Sequence, residues 1–351
     1  MSNGPLQKFL VLILFLSLIF TSCGDKKPAH LFTKVEPSVS GLHFNNRLIE
    51  DDSINIIDNE FVYNGAGVAV GDVNNDGVDD VFFAGNQVGN KLFLNKGELK
   101  FEDVTSKAHI AKPDSLMWSS GVSLVDVNAD GNLDIYVCNT FRKQPNQRAN
   151  LLYINQGSDS DGIPTFKEMA SEYGIADETY SSHAQFFDYD QDGDLDLFIG
   201  VNRIEGINPN EFSPLTDDGS SLSRDKLYEN TWNDSLNKQQ FIDVSEKAGI
   251  RYHGYSHSTL IHDFNSDGWM DIYVANDFLS NDLVYINNQD GTFTNRAGDI
   301  FKHFSLSSMG SDITDIDNDG NMDIYTTEMQ PYYNKRKKLF QGPSSYQKEI
   351  F

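Results

Sequence analysis

Asp72-Val73-Asn74-Asn75-Asp76-Gly77-Val78-Asp79-Asp80 opens a pattern that the chain writes five times. The polar skeleton returns as Asp126-Val-Asn128-Ala-Asp130-Gly131-Asn132-Leu-Asp134 and as Asp188-Tyr-Asp190-Gln-Asp192-Gly193-Asp194-Leu-Asp196. It returns again as Asp263-Phe-Asn265-Ser-Asp267-Gly268-Trp269-Met-Asp271 and as Asp315-Ile-Asp317-Asn-Asp319-Gly320-Asn321-Met-Asp323. Five copies of one nine-residue loop are not an accident of an acidic composition.

The spacing points to a bound cation. Calcium takes six to eight hard oxygens, and a tight turn supplies several when carboxylates or amides stand at positions 1, 3 and 5. Position 6 is Gly in every copy, as expected where the backbone takes a positive φ to wrap an ion. Position 7 is Val78, Asn132, Asp194, Trp269 or Asn321. That variety suits a residue that offers its backbone carbonyl. Position 9 is always Asp (80, 134, 196, 271, 323) and is a further candidate ligand. Positions 10 and 11 are apolar or aromatic, so each loop leads directly into a β-strand.

An EF-hand loop closes on Glu at position 12 between two helices. Here position 12 is Phe83, Val137, Ile199, Val274 or Thr326, inside the expected strand. Asp, Asn and Gly are also common in plain turns. The fivefold recurrence at fixed spacing favours the ion.

Lys and Arg number 27 against 52 Asp and Glu, a formal net charge of −25. Much of that acidity sits in the loops. A nucleic-acid partner is not expected, because no basic face compensates it. Of the two cysteines, Cys138 follows Ile135-Tyr136-Val137 and reads as a buried, inert thiol.

Cys23 belongs to an export signal. Lys8 precedes an apolar run from Phe9 to Phe20, too short to span a membrane and suited to a signal-peptide core. Thr21-Ser22-Cys23 is similar to a bacterial lipobox, in which the Cys is lipidated, although Phe20 replaces the usual Leu. The expected organisation is a signal peptide over 1–22, a lipid-anchored tether and strand segment over 23–60, repeats over 61–330, and a basic tail or the start of a further blade over 331–351.

Each repeat has four apolar segments. The first precedes the acidic loop, as in Gly121 to Val125, and the second follows it, as in Ile272-Tyr273-Val274. The third begins with Asn or Asp and ends with Asn: 90–95, 150–155, 225–230 and 282–287. The fourth begins at Phe101, Phe166, Phe241 or Phe293. The loops start at 72, 126, 188, 263 and 315. Four strands at such spacing predict propeller blades. The long third interval is taken up by an insertion from Ile204 to Ser223, a candidate binding loop.

These repeats resemble the FG-GAP/VCBS repeats of integrin α-chain propellers and of bacterial relatives grouped with the ASPIC/UnbV proteins. The resemblance implies an all-β fold, a β-propeller of four-stranded blades whose loops hold Ca2+ at positions 1, 3, 5, 7 and 9. It implies a non-catalytic binding or adhesion role, with an extracellular or envelope protein or a glycan as ligand. With the lipobox, it implies an exported lipoprotein at the outer membrane or cell surface. A glycan-active enzyme with a site at the axial mouth, and a structural spacer of a larger surface protein, are the alternatives.

His183 and His257 lie just ahead of first strands, near Tyr180-Ser-Ser and Ser256, where the second unit has Trp118-Ser-Ser. They are expected to cap strands by hydrogen bonds; the competing reading places them around a ligand pocket at the axial mouth. Lys335-Arg336-Lys337-Lys338 reads as a solvated connector. The fifth unit fades after Ile324-Tyr325-Thr326, and family propellers more often have seven blades, so an open ring from the front of a longer protein is expected. The alternative is that Phe32 to Val35, which resembles a fourth segment, completes the fifth unit.

Overall fold

The computed structural model describes residues 32–56, 61–110, 117–202, 217–221, 223–235, 238–277, 280–305 and 307–329, with 333 and 335. The signal peptide, Cys23, most of the 204–223 insertion and the tail beyond 335 lie outside them. The chain divides into two compact units, Met1–Ser40 and Gly41–Phe351. In the first, residues 32–36 have no regular secondary structure and Pro37–Ser40 form one helical turn. The segment that resembles a fourth strand is therefore not a strand.

The second unit is built of antiparallel sheets in sequence order. Blade 1 contains β1 (Val68–Gly71), β2 (Asp80–Phe83), β3 (Lys91–Asn95) and β4 (Phe101–Asp103). Blade 2 contains β5 (Ser119–Val125), β6 (Asp134–Asn139), β7 (Leu151–Ser158) and β8 (Pro164–Glu168). Blade 3 contains β9 (Ser181–Phe187), β10 (Asp196–Val201), β11 (Lys226–Asn233) and β12 (Lys238–Asp243). Blade 4 contains β13 (Ser256–His262), β14 (Asp271–Asn276), β15 (Leu283–Asn287) and β16 (Phe293–Asn295). The fifth unit, among the described residues, is the pair β17 (Ser308–Thr314) and β18 (Asp323–Glu328).

First strands of successive units lie against one another, β1 on β5, β5 on β9, β9 on β13 and β13 on β17. The fold is a β-propeller, with first strands innermost.

Side-chain alternation explains how the blades stack. Every residue of β6, β10 and β14 is buried, and successive side chains of a strand point to opposite faces. Ile135 and Val137 enter a core with Phe82, Leu92 and Leu94 of blade 1. Tyr136 and Cys138 enter a core with Leu197 and Ile199 of blade 3. Phe198 packs with Ile272 and Val274 of blade 4, and Tyr273 and Ala275 face Ile313 and Ile324 of the fifth unit. The second strands of blades 2, 3 and 4 thus each glue their blade to both neighbours. Truncating one of these side chains to Ala costs about 2–5 kcal/mol in a close-packed core.

Candidate functional site

The five acidic loops join first to second strands, so they gather at one end of the axis. Their backbone is the same in each copy. The position 6 glycines have φ between 86° and 98° (Gly77 86°, Gly131 87°, Gly193 98°, Gly268 89°, Gly320 90°). Nothing lies within 4 Å of where a Cβ would sit on any of them, so conformation and not space demands Gly. Position 4 is also left-handed, at Asn75 60°, Ala129 55°, Gln191 63°, Ser266 59° and Asn318 60°. The sequence reading missed that, because Ala, Gln and Ser give no such signal.

This backbone turns amides inward onto carboxylates. Asp72 accepts from the N–H of Asp76 at 3.1 Å and of Gly77 at 2.7 Å, and Asp76 accepts from that of Val78 at 3.0 Å. Asp126, Asp263 and Asp315 repeat the first pair of bonds with Asp130 and Gly131, Asp267 and Gly268, and Asp319 and Gly320. The position 7 N–H is spent on position 5, which leaves the position 7 carbonyl as that residue's main-chain donor to an ion.

Position 9 is tied into the sheet. One oxygen of Asp134 accepts from the N–H of Val127 at 3.1 Å and the other from that of Asn155 at 2.7 Å. Asp80, Asp196 and Asp271 make the same two bonds, to Val73 and Asn95, Tyr189 and Asn230, and Phe264 and Asn287. All four residues are at most 1% exposed. The carboxylate therefore clips loop, second strand and third strand together, and each oxygen keeps a second lone pair.

Burial first, and nearby carboxylates second, make these loops electrostatically unhappy without a cation. Burial pushes Asp80 up to about 6, Asp134 to about 7 and Asp196 to about 8. Asp188, Asp190 and Asp192 bring carboxylate oxygens within 4.8 Å of one another, as do Asp315, Asp317 and Asp319. In the third loop Asp188 Oδ1 and Asp194 Oδ1 are buried with no hydrogen-bond partner. Burial, then Asp192, Asp190 and Asp188, raises Asp194 to about 6. Clustered hard oxygens with orphaned atoms fit Ca2+. In the other three loops Asn74, Asn128 and Asn265 replace the third carboxylate and donate to Asp76, Asp130 and Asp267.

At the opposite end, buried hydroxyls join the blades. Ser181 accepts from Asn150 Nδ2 at 2.9 Å, Ser256 donates to Asp225 at 2.6 Å, and Ser308 donates to Asp282 at 3.3 Å. The Asn or Asp that starts the third strand of blades 2, 3 and 4 thus clamps the next unit, whereas Asn90 of blade 1 bonds only Gly85 N–H of its own blade. His183 donates and accepts within this layer, between Ser182 at 2.8 Å and Thr259 Oγ1. Its ring lies on Gly200, where any Cβ would collide with it. His183 thus caps no strand: it lies inside β9 and ties it to Thr259 of β13, whereas His257 lines a cavity with Trp118, Ser120 and Ser182.

Residues 72–137 and 263–326 match the FG-GAP-like repeat family. The chain carries FG-GAP-like repeats. Each matched stretch runs from the acidic loop of one unit into the second strand of the next. Cartilage acidic protein 1 of Xenopus tropicalis is 27% identical over 212 residues, 60% of this chain and 28% of that protein. The chain therefore spans little more than a quarter of that relative's length. A solved structure of an Agrocybe aegerita lectin, described as recognising non-reducing terminal N-acetylglucosamine, aligns with 15% identity and a TM-score of 0.37. The alignment covers 73% of this chain and 59% of that one.

Proposed function

We propose that this chain is a calcium-stabilised, non-catalytic binding or adhesion module that works at the cell envelope. The carrying observation is the third loop, where three carboxylates converge and two buried oxygens lack partners. Positions 1, 3 and 5 of each loop would hold Ca2+ with the carbonyl of position 7 and the Asp of position 9. In the third loop these are Asp188, Asp190, Asp192, Asp194 and Asp196. The ion neutralises the loops and stiffens one end of the propeller, leaving the rest of its surface for a partner. The FG-GAP-like repeats support a recognition role, and the apolar run ahead of Cys23 supports export.

The test is a protein and glycan array probed with the calcium-loaded chain and with chelator present. A ligand retained only with calcium is the expected result. A chain that binds nothing on either array is a spacer, and turnover of an arrayed glycan would make it an enzyme.

A further inference from the structure

The axial end away from the acidic loops holds a cavity of about 450 Å³, within the range of small-ligand sites. Gly67, Ser120, Ser182, His257 and Met309 line it, one from each unit, so all five units build it. Phe61 reaches from ahead of blade 1 to pack on His257 and Tyr255 of blade 4, with ring centroids 4.8 and 5.7 Å apart.

The chemistry of the wall is selective. Phe61, Trp118, Phe141 and Tyr180 supply aromatic surface, while Asn64, Thr140 and Asn202 join the two serines as hydrogen-bonding groups. No Asp, Glu, Lys or Arg is among the described lining residues, in a chain of net charge −25. The Arg142 guanidinium stands over the Trp118 and Phe141 rings, 5.6 and 5.8 Å from their centroids, but outside the lining, so a charged ligand would find no countercharge inside the cavity itself. A wholly apolar one would strand the amides and hydroxyls, which is costly. A pyranose ring has an apolar face for aromatic surface and a rim of hydroxyls for polar groups.

Two further features mark the site. Phe141 has φ 69°, a conformation rare for bulky residues and typical of strain kept at functional sites. Its ring stacks on Trp118 with centroids 4.2 Å apart. His257 Nε2 is buried without a hydrogen-bond partner, and Asp277 Oδ2 stands 3.9 Å away. Burial lowers His257 to about 4, so the ring is neutral and its Nε2 can take up a hydrogen bond with a ligand hydroxyl.

We propose that this axial cavity binds a neutral polyhydroxylated ligand, a sugar ring lying against the Phe141 and Phe61 side of the wall with hydroxyls to Asn64, Asn202 and His257. The proposal rests on the reading of the chain as a binding module and names where that module binds. Aromatic contact and oriented amides set the preference for a neutral sugar over an anion of equal size.

The experiment uses the full calcium-loaded chain with Trp232→Phe and Trp269→Phe, which leaves Trp118 as the fluorescence reporter. It is titrated with methyl glycosides of glucose, galactose and mannose, and with their disaccharides. A saturable signal that Phe141→Gly and Asn64→Ala each weaken by about tenfold or more is expected. Gly suits the positive φ at 141, and Asn64 is exposed, so both variants should fold; if Phe141→Gly does not, Asn64→Ala decides. Saturable binding that neither variant changes overturns the cavity and leaves the binding module standing. So does a silent titration beside a protein ligand on the array. No ligand in either format removes both.

Discussion

Asn155 Nδ2 donates to the backbone oxygen of Val73 at 2.8 Å, joining the third strand of blade 2 to the acidic loop of blade 1. The same amide donates to Leu133 O of its own loop at 3.1 Å. Asn287 does likewise in blade 4, reaching Tyr189 O at 2.8 Å and Met270 O at 3.3 Å. One side chain at the end of a strand therefore holds two loops in register, and the acceptor on the neighbouring blade, Val73 or Tyr189, belongs to a buried residue.

Asn155→Ala is expected to destabilise the protein by about 2 kcal/mol, because the buried Val73 carbonyl loses its donor and the Gly157 N–H its acceptor. Asn230 is the control. It bonds Leu195 O of its own blade at 3.2 Å, so Asn230→Ala should cost about half as much. Urea unfolding of both variants measures this. Equal losses would mean that the contact between blades contributes nothing.

Ala129 occupies the left-handed position 4 with φ 55°. A Cβ there is penalised, and Gly is not. Ala129→Gly should raise stability by about 0.5–1 kcal/mol, read as a higher urea midpoint at unchanged slope. A lower midpoint would show that the loop backbone relaxes in solution.

Asp225 is buried between Val201 N–H at 2.9 Å and Ser256 Oγ at 2.6 Å. Burial pushes its carboxyl from 3.8 up to about 7. The folded state therefore holds a proton that the unfolded state has lost between those values. Its contribution to stability falls as pH rises through that window. Asn150 fills the equivalent place in blade 2 with an uncharged amide. Asp225→Asn should therefore stabilise the protein by up to about 4 kcal/mol at pH 8, and the gain should fade toward pH 4. Chemical denaturation of both proteins across that range tests it, and a pH-independent difference would contradict the charge argument.

If the lipobox-like Thr21-Ser22-Cys23 is lipidated, Cys23→Ser should turn a detergent-partitioning protein into a soluble exported one, since stable anchoring needs more than one acyl chain. Fractionation of cells expressing the two forms reads this out. Unchanged partitioning would point to an ordinary signal peptide.

Much of this was legible in the chain because one physical unit is repeated. The Asp and Gly spacing announced the loop, and the apolar run Ile135-Tyr136-Val137-Cys138 announced a strand with a buried thiol. The Asn that ends each third strand was visible as a pattern. Its partner, the Asp at position 9, was visible only as a candidate ligand. Their bond joins residues 21 apart in blade 2 and 34 apart in blade 3, a pairing that local spacing does not encode. Position 4 was hidden for a different reason: its φ is imposed by the turn on residues with no preference for it. The axial cavity was half visible in the Trp118 and Tyr180 motifs. Phe61, Phe141 and Asn202 come from outside those motifs and meet only when the blades pack together.

The most direct test of the account is thermal unfolding of the chain in saturating calcium and again after chelation. Ligand at ~100 times its dissociation constant adds about 2.7 kcal/mol for each independent site, so several loops together should raise the melting temperature by many degrees. Asp192→Ala should remove the share of the third loop, which has the most carboxylates, and leave the rest. A melting temperature that chelator does not move would contradict the calcium assignment outright.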